Sequence, residues 1–519
     1  MRKIKIVTAD EAAKLINDND TIAIDGFVQS SLPEALNKAL EKRFLDTGKP
    51  EGLTVIWSAG QGNRLGAGPD HFAYPGMVKR VIAGHWNLAP RMGEAASKNE
   101  IEAYNLPQGV LCCLFREIAA KREGLISHVG LNTFADPRIE GGKLNAKTTE
   151  DLVEIIHING KERLLYKTFP INVAFIRGTY ADEAGNVTCE KEVAPLDSTS
   201  LAQAVKNSGG KVIVQVEKVV RAGTLNPHLV KIPGIYVTAV VVAQPCDHEQ
   251  SLGCGYDPAI SGEVTIPTGE AQSDTELSTK KIIARRAAME LKKNVVVNLG
   301  IGNAEYVSSV ANEEGIGDYM TLTVECGPVG GIPLAGNRFG SSINPEALLD
   351  QSLQFDFYDG GGLDLAFLGL AQVDESGNVN LSKFGTRIAG CGGSIDISQN
   401  SKKVVYCGSF TAGGIKTKVE NGKLIILQEG KERKFVKKVD QITFSGKYAA
   451  QEGQPVMYIT ERAVFELRSD GVYLTEVAPG IDIQTQILDV MDFAPKIENI
   501  KIMNENIFKA GLMELKNII

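Results

Sequence analysis

Histidine is scarce. The 519-residue chain holds six, His71, His85, His128, His157, His228 and His248. None forms an HxxxH or HExxH pair, so the usual helical spacing of a zinc site is missing and no metal is expected. The eight cysteines include no CxxC. In so long a chain, scattered thiols read as reduced cysteines of a cytoplasmic protein rather than a disulfide framework. No GxxxxGK[ST] occurs, which leaves a P-loop unsupported. No Lys/Arg cluster with interleaved aromatics is present, and the net charge of −8 argues against a nucleic-acid partner. No apolar run reaches the ~18 residues of a membrane span. The N-terminus MRKIKIVTADEAAKLI is basic but has no apolar h-region, so no secretory signal is expected.

What is present is ordinary in bulk and unusual in arrangement. Hydrophobic residues make up 43% and charged residues 23%, as in a soluble globular protein. Glycine, with 54 residues, exceeds the usual roughly 7% and points to many tight turns or close backbone approaches. An internal repeat organises the chain. FIRGTYADEAGNVTCEK (175–191) aligns without a gap on FLGLAQVDESGNVNLSK (367–383), and the shared D-E-x-G-N-V reads as a hairpin turn. LTVIWSAGQG (53–62) pairs with LTVECGPVGG (322–331). TIAIDGFVQSSLPEAL (21–36) pairs with VVVNLGIGNAEYVSSV (295–310). The order is the same in both halves, although the first carries an insert of about 75 residues that includes a helical pattern over 106–125.

This pattern predicts an α/β protein: two homologous open α/β domains fused in one chain, with largely parallel sheets. The boundary is expected near residue 270. That gives an N-terminal domain over 1–270, whose last part (about 244–270) is a linker rich in Gly, Pro, Ser and acids, and a C-terminal domain over 271–519. A helix follows the linker, with Ser273 or Asp274 as its cap. Ligands of such sheets bind at the C-terminal ends of the strands.

Glu325 stands at such an end, in TLTVECGPVGGIP (321–333). It is either a solvated surface acid or a nucleophile. Aligned on the first-half copy, it takes the place of the hydrophobe Ile56, and the small residues after it allow close approach of a ligand. A desolvated carboxylate with amides placed for the oxyanion can attack a thioester, and that chemistry needs no proton transfer and no histidine. Cys326 has no histidine near it in sequence and reads as a buried inert thiol. NLGIGNAEYV (298–307) could present amides to a phosphate at a helix N-terminus, but it lacks the third glycine of GxGxxG. AGCGGSIDIS (389–398) is either an oxyanion-donating loop or a plain turn.

Taken together, TVECGPVGGIP, NLGIGN, FDFYDGGGLDLAFLGLAQVD, AGCGGSIDIS and YITERAVFEL resemble the class I coenzyme A transferases, in their acetate/propionate branch, from end to end. The resemblance implies a fused α-like and β-like pair with the active site between the halves. It implies that Glu325 takes CoA from a short-chain acyl-CoA as a glutamyl thioester and passes it to a second carboxylate. Acyl-CoA hydrolysis on the same scaffold, and a non-covalent nucleotide- or sugar-phosphate-binding protein, are the alternatives. By motif, Gln108 in LPQG and Gly392 of GCGG, with Gly393 as fallback, form the oxyanion hole; a helix cap is the other reading of Gln108. Gly300, Gly302 and Asn303, with Gly330 and Gly331, lie by the CoA. Gly26, Phe27 and Val28 lie on the substrate side, in a segment where Asp25, Val28 and Ser31 replace the glycines of G-G-F-G-x-x-G-x-P. No cofactor is implied beyond CoA as substrate. The expected partners are acyl-CoA and short acids, with no membrane, in a homo-oligomer and by preference a tetramer.

Overall fold

The computed structural model describes residues 3–267, 277–300 and 302–519. The chain divides into two compact units. Unit 1 comprises Met1–Ile266, Val324–Asp359 and Phe384–Asp396; unit 2 comprises Pro267–Thr323, Gly360–Lys383 and Ile397–Ile519. Two stretches that follow residue 270 in sequence thus belong with the first unit. Ser273 and Asp274 lie outside the described residues. The helix beyond them, Thr279–Ala288, is capped by Ser278, whose hydroxyl accepts the Lys281 N–H.

Unit 1 is built on eight parallel strands: β1 (Lys5–Val7), β2 (Thr21–Ile24), β3 (Leu53–Trp57), β4 (Val78–Ala83), β5 (Glu102–Asn105), β6 (Val173–Arg177), β7 (Lys211–Val216) and β8 (Ala239–Val242). Their order is β1-β8-β7-β6-β2-β3-β4-β5. The central strands read as continuous apolar runs because both faces are covered. Ile22, Val55, Trp57, Phe175 and Ile213 are fully buried in one core. Helices α1 (Glu34–Thr47), α2 (Gln108–Ala119) and α3 (Ser198–Asn207) also belong to unit 1.

Unit 2 holds β9 (Val295–Leu299), β10 (Met320–Thr323), β11 (Leu365–Gly369), β12 (Val404–Cys407), β13 (Val456–Ile459), β14 (Ala463–Arg468), β15 (Gly471–Val477) and β16 (Lys496–Ile502). They run in the order β10-β9-β11-β12-β13-β14-β15-β16, and the first five are parallel. Val297, Phe367, Val405 and Ile459 form its core.

The duplication is visible in register. Val173 of β6 stands opposite Ile22, and its repeat partner Leu365 of β11 stands opposite Val297. Ile22 in turn faces Val55, and Val297 faces Leu322. Val55 therefore corresponds to Leu322, and counting on from there makes Ser58 the counterpart of Glu325. The ungapped sequence pairing with Ile56 is two residues out of register, because it aligned leucines that do not share a sheet position.

Both D-E-x-G-N-V turns fold by one scheme. Asp182 accepts the N–H groups of Ala184 and Asn186 and the Asn186 side-chain amide. Asp374 does the same with Ser376 and Asn378. Gly185 and Gly377 sit at φ +89° and +76°, where glycine is favoured. Substituting Asp374→Ala leaves these donors without acceptors, at about 1–3 kcal/mol. The thermal midpoint of unit 2 should fall by roughly 2–4 °C per kcal/mol lost; an unchanged melt by differential scanning calorimetry would contradict the scheme.

Within the expected linker, the 250–252 stretch is packed. Gln250 and Ser251 are buried, the Gln250 carbonyl accepts the Ser31 N–H, and Leu252 N–H donates to the Gln29 carbonyl.

Candidate active site

Glu325 lies two residues beyond β10, in a turn closed by Gly327 N–H donating to the Val324 carbonyl and Val324 N–H donating to the Pro328 carbonyl. The turn has no slack. Gly327 is at φ +134°, and a Cβ there would come 2.1 Å from the Leu349 carbonyl oxygen. Glu325 is half-buried between two buried neighbours. Those neighbours, Val324 and Cys326, share an apolar cluster with Phe27, Ala59, Ala194 and Leu196, and Val28 and Phe339 pack against it. The backbone on either side of Glu325 is thus packed against Phe27 and Val28 of the 25–33 segment. Cys326 donates its thiol proton to the Gly340 carbonyl at 3.0 Å, and burial, then the Glu325 charge, pushes that thiol well up. It is held as a neutral thiol.

Gln108 is the first residue of α2 and is buried. Its side chain caps no helix. Its Nε2 donates to Gln351 Oε1 at 3.3 Å, and its backbone N–H donates to the Gly392 carbonyl at 3.0 Å. Gly392 and Gly393 differ in a way the sequence could not reveal. The Gly392 N–H donates to the Gly84 carbonyl at 2.8 Å and is therefore already committed. Gly393 is buried, and its N–H has no acceptor among the described residues.

Behind Gln108 lies a polar knot that sequence reasoning missed. Gln351 begins helix α4 (Gln351–Asp359) and is fully buried. Its Nε2 lies 2.9 Å from Asp197 Oδ2, 3.1 Å from Ser58 Oγ and 2.8 Å from Cys112 Sγ. Ser58 Oγ also donates to Asp197 Oδ2, at 2.5 Å. Asp25 accepts the N–H groups of Gly26 and Asp197 and the Ser198 hydroxyl. Desolvation, reinforced by the neighbouring Asp197 charge, raises the Asp25 carboxyl well above the ordinary carboxylate range; burial raises Asp197 as well. His85 was another surprise. It is half-buried, and burial of its ring with the nearby Arg64 charge pushes its pKa down to about 4, so it is neutral. Its ring lies 2.7 Å from where a Cβ on Gly60 would be. None of these stood out in the sequence; Ser58 emerges as the repeat counterpart of Glu325 only through sheet pairing.

The substrate-side segment is anchored throughout. Gly26 is at φ +145°, and a Cβ there would meet Leu32 at 2.5 Å. Phe27 stacks on Phe339 with centroids 6.1 Å apart. A cavity of about 510 Å³ opens at the C-terminal ends of β6, β7 and β8, lined by Arg177, Lys191, Glu217 and His248 among others. Its cations are paired, Arg177 with Glu192 and Lys191 with Glu217.

The predicted CoA-side glycines have mixed surroundings. In unit 2, the Gly300 N–H donates to the Phe367 carbonyl, and the Gly302 N–H donates to Glu305 Oε1 at 3.0 Å. Neither amide is open to a phosphate as it stands. Gly302 nonetheless has empty space where a Cβ would project. Asn303 precedes the helix Tyr306–Glu313, with its carbonyl accepting the Tyr306 N–H. In unit 1, a Cβ on Gly330 would meet Glu346 at 2.6 Å, and one on Gly331 would meet the Ile343 carbonyl at 2.3 Å. Both of the latter are turn glycines required by packing. Among the described residues there is no cluster of metal-ligating side chains, and no helix is long and apolar enough to cross a membrane.

Residues 6–243 and 280–487 match the Coenzyme A transferase family. The chain belongs to that family. The transferase is 45% identical over 508 residues to acetate CoA-transferase YdiF of Escherichia coli K12, covering 98% of this chain and 95% of the relative. It is 47% identical over 511 residues to caffeate CoA-transferase of Acetobacterium woodii, covering 97% of each. Among solved structures, the E. coli O157:H7 acyl-CoA transferase YdiF in a thioester complex with CoA superimposes with a TM-score of 0.93 at 43% identity, over 99% of this chain and 97% of that one. The fused two-domain fold of that transferase is the fold of this chain.

The raised Asp25 and Asp197 carboxyls give a prediction for stability against pH. A carboxyl whose folded pKa lies above its unfolded value near ~4 holds a proton that the unfolded chain has lost, so stability falls as pH rises through that window. Asp25→Asn removes the titration while its amide can still donate to the Ser198 hydroxyl. Its thermal midpoint should exceed that of the wild type at pH 8, and the gap should close as pH falls towards 4. A pH-independent gap between pH 4.5 and 8.5 would contradict the buried acid pair.

Proposed function

We propose that this transferase moves CoA from a short-chain acyl-CoA to a free short-chain carboxylate, of the acetate, propionate and butyrate type, through a glutamyl-CoA thioester on Glu325. The observation that carries the reading is the setting of Glu325: a half-buried carboxylate on a turn fixed by Gly327, flanked on both sides by residues of the Phe27 cluster. Partial desolvation and fixed position are what a weak carboxylate nucleophile needs. A Glu325 oxygen attacks the thioester carbonyl carbon, the C–S bond breaks and CoA leaves as thiolate, giving an acyl-glutamyl anhydride. The thiolate then attacks the glutamyl carbonyl, the anhydride C–O bond breaks, and the first acid departs as carboxylate. A second carboxylate reverses both steps. No proton is transferred, in keeping with the neutral His85.

The oxyanion of each tetrahedral intermediate is assigned to the Gln108 amide and the Gly393 N–H, in preference to the committed Gly392 N–H. Gly302 and Asn303 are assigned to the CoA side, after local rearrangement of the Gly302–Glu305 contact. A cytoplasmic homotetramer goes with this reading, by family resemblance.

Incubation with acetyl-CoA alone should add CoA to the peptide carrying Glu325, seen by mass spectrometry. Glu325→Ala should abolish both adduct and transfer. Glu325→Asp, which withdraws the carboxylate by about 1 Å, should lose on the order of 100-fold in kcat. Transfer by Glu325→Ala at the wild-type rate would sink the assignment. Added acetate separates transfer, which gives a new acyl-CoA, from hydrolysis, which gives free CoA.

Gln351 is expected to act through Gln108. Gln351→Leu removes the acceptor that orients the Gln108 amide, and kcat should fall about 10- to 100-fold with little change in the KM for acyl-CoA. An unchanged kcat would remove Gln351 from the oxyanion assembly.

A further inference from the structure

We infer that Val28 sets the size limit of the acyl group, and that the acids used are therefore short and unbranched at the carbon next to the carboxyl. The inference rests on the reading of Glu325 as nucleophile. Val28 stands at φ +54°, in the left-handed region that L-residues avoid and β-branched ones avoid most. Ser31, three residues on, is at φ +55°. Such conformations persist only where the surroundings over-determine them. Here they do. The Val28 N–H donates to the Gly60 carbonyl at 2.5 Å, and the Val28 carbonyl accepts the Gly62 N–H at 2.8 Å. Phe27 and Ser30 exchange backbone hydrogen bonds at 3.1 and 2.8 Å. Ser30 Oγ lies 2.6 Å from Ser251 Oγ, and Ser31 Oγ donates to Glu192 Oε2 at 2.8 Å.

A fixed backbone fixes the isopropyl group, since a β-branched side chain has little freedom at χ1. Val28 is half-buried and packs on the cluster that contains both chain neighbours of Glu325. Its neighbour Phe27 cannot yield. The ring stacks on Phe339, and the Gly340 backbone lies so close that a Cβ there would be 2.4 Å from it. The two methyls of Val28 are therefore held rigidly on the cluster that both chain neighbours of Glu325 enter, and the inference places them at the edge of the acyl site. Glycine would satisfy this backbone more easily and leave the space open; valine occupies it.

The test compares wild type, Val28→Gly and Val28→Ala with acetate, butyrate, 2-methylpropanoate, hexanoate and caffeate as acceptors, with acetyl-CoA or propionyl-CoA as donor. CoA on the Glu325 peptide is followed by mass spectrometry in all three. Both variants open the space, and only glycine also relieves the backbone. In wild type, kcat/KM should be lower for hexanoate and 2-methylpropanoate than for butyrate. In both variants that ratio should rise about tenfold or more, the scale of a methylene-sized change in an apolar pocket. Val28→Gly, but not Val28→Ala, should also raise the thermal midpoint. If the adduct forms on Glu325 but the acceptor ratios of both variants match wild type, Val28 does not set the limit. Wild type using hexanoate or caffeate as well as butyrate overturns it equally. If no adduct forms on Glu325 in any of the three, the reading beneath the inference fails, and the inference with it.

Discussion

A side-chain amide and two buried carboxyls hold this site together. Taking Asp25 and Asp197 out of water is costly unless each oxygen finds a donor. Ser198 and the amides of Gly26 and Asp197 supply donors to Asp25, and Ser58 and Gln351 supply them to Asp197 Oδ2, while Asp197 Oδ1 is left without a partner. The same Gln351 amide turns its oxygen to Gln108. The position of Gln108, the shape of the 25–33 segment and the start of α3 at Ser198 therefore share one set of hydrogen bonds. Unpairing any member leaves a buried polar group unsatisfied, so the network holds together or fails as a unit.

Around that knot, glycine provides closeness rather than flexibility. Gly327, Gly340 and Gly26 are places where a single methyl would strike a carbonyl oxygen, an aromatic ring or a leucine. Gly327 and Gly340 let two stretches of chain lie against one another, the Glu325 turn against Leu349 and Gly340 against Phe27, and Gly26 lets the 25–33 segment fold back on its own Leu32. The rigidity expected of a carboxylate nucleophile comes from these contacts.

Much of the architecture was legible because duplication writes the same hydrogen-bond scheme twice. The Asp182 and Asp374 turns are alike to the individual donor, and the apolar strands declared parallel sheets covered on both faces. Register was not legible. Matching leucines put Glu325 opposite Ile56, whereas sheet pairing puts it opposite Ser58. Period-two side-chain alternation makes a shift of two residues invisible to pattern, since it preserves which face is buried. Glu325 and Gln108 stood out through motif. The choice between Gly392 and Gly393 depended on which N–H was already spent, and Gln351, Asp197 and His85 matter only through neighbours distant in sequence.

The pairing of β1 with β8 has a consequence for how the chain comes to be folded. Lys5–Val7 finds its partner only in Ala239–Val242, and unit 1 also takes in Val324–Asp359 and Phe384–Asp396. During synthesis the first unit stays unfinished until nearly four-fifths of the chain has emerged, on the order of 20–80 s at ribosomal speeds of roughly 5–20 residues per second. Its apolar parallel strands are exposed for that time. A fragment ending at the apparent domain boundary would therefore lack part of its own unit.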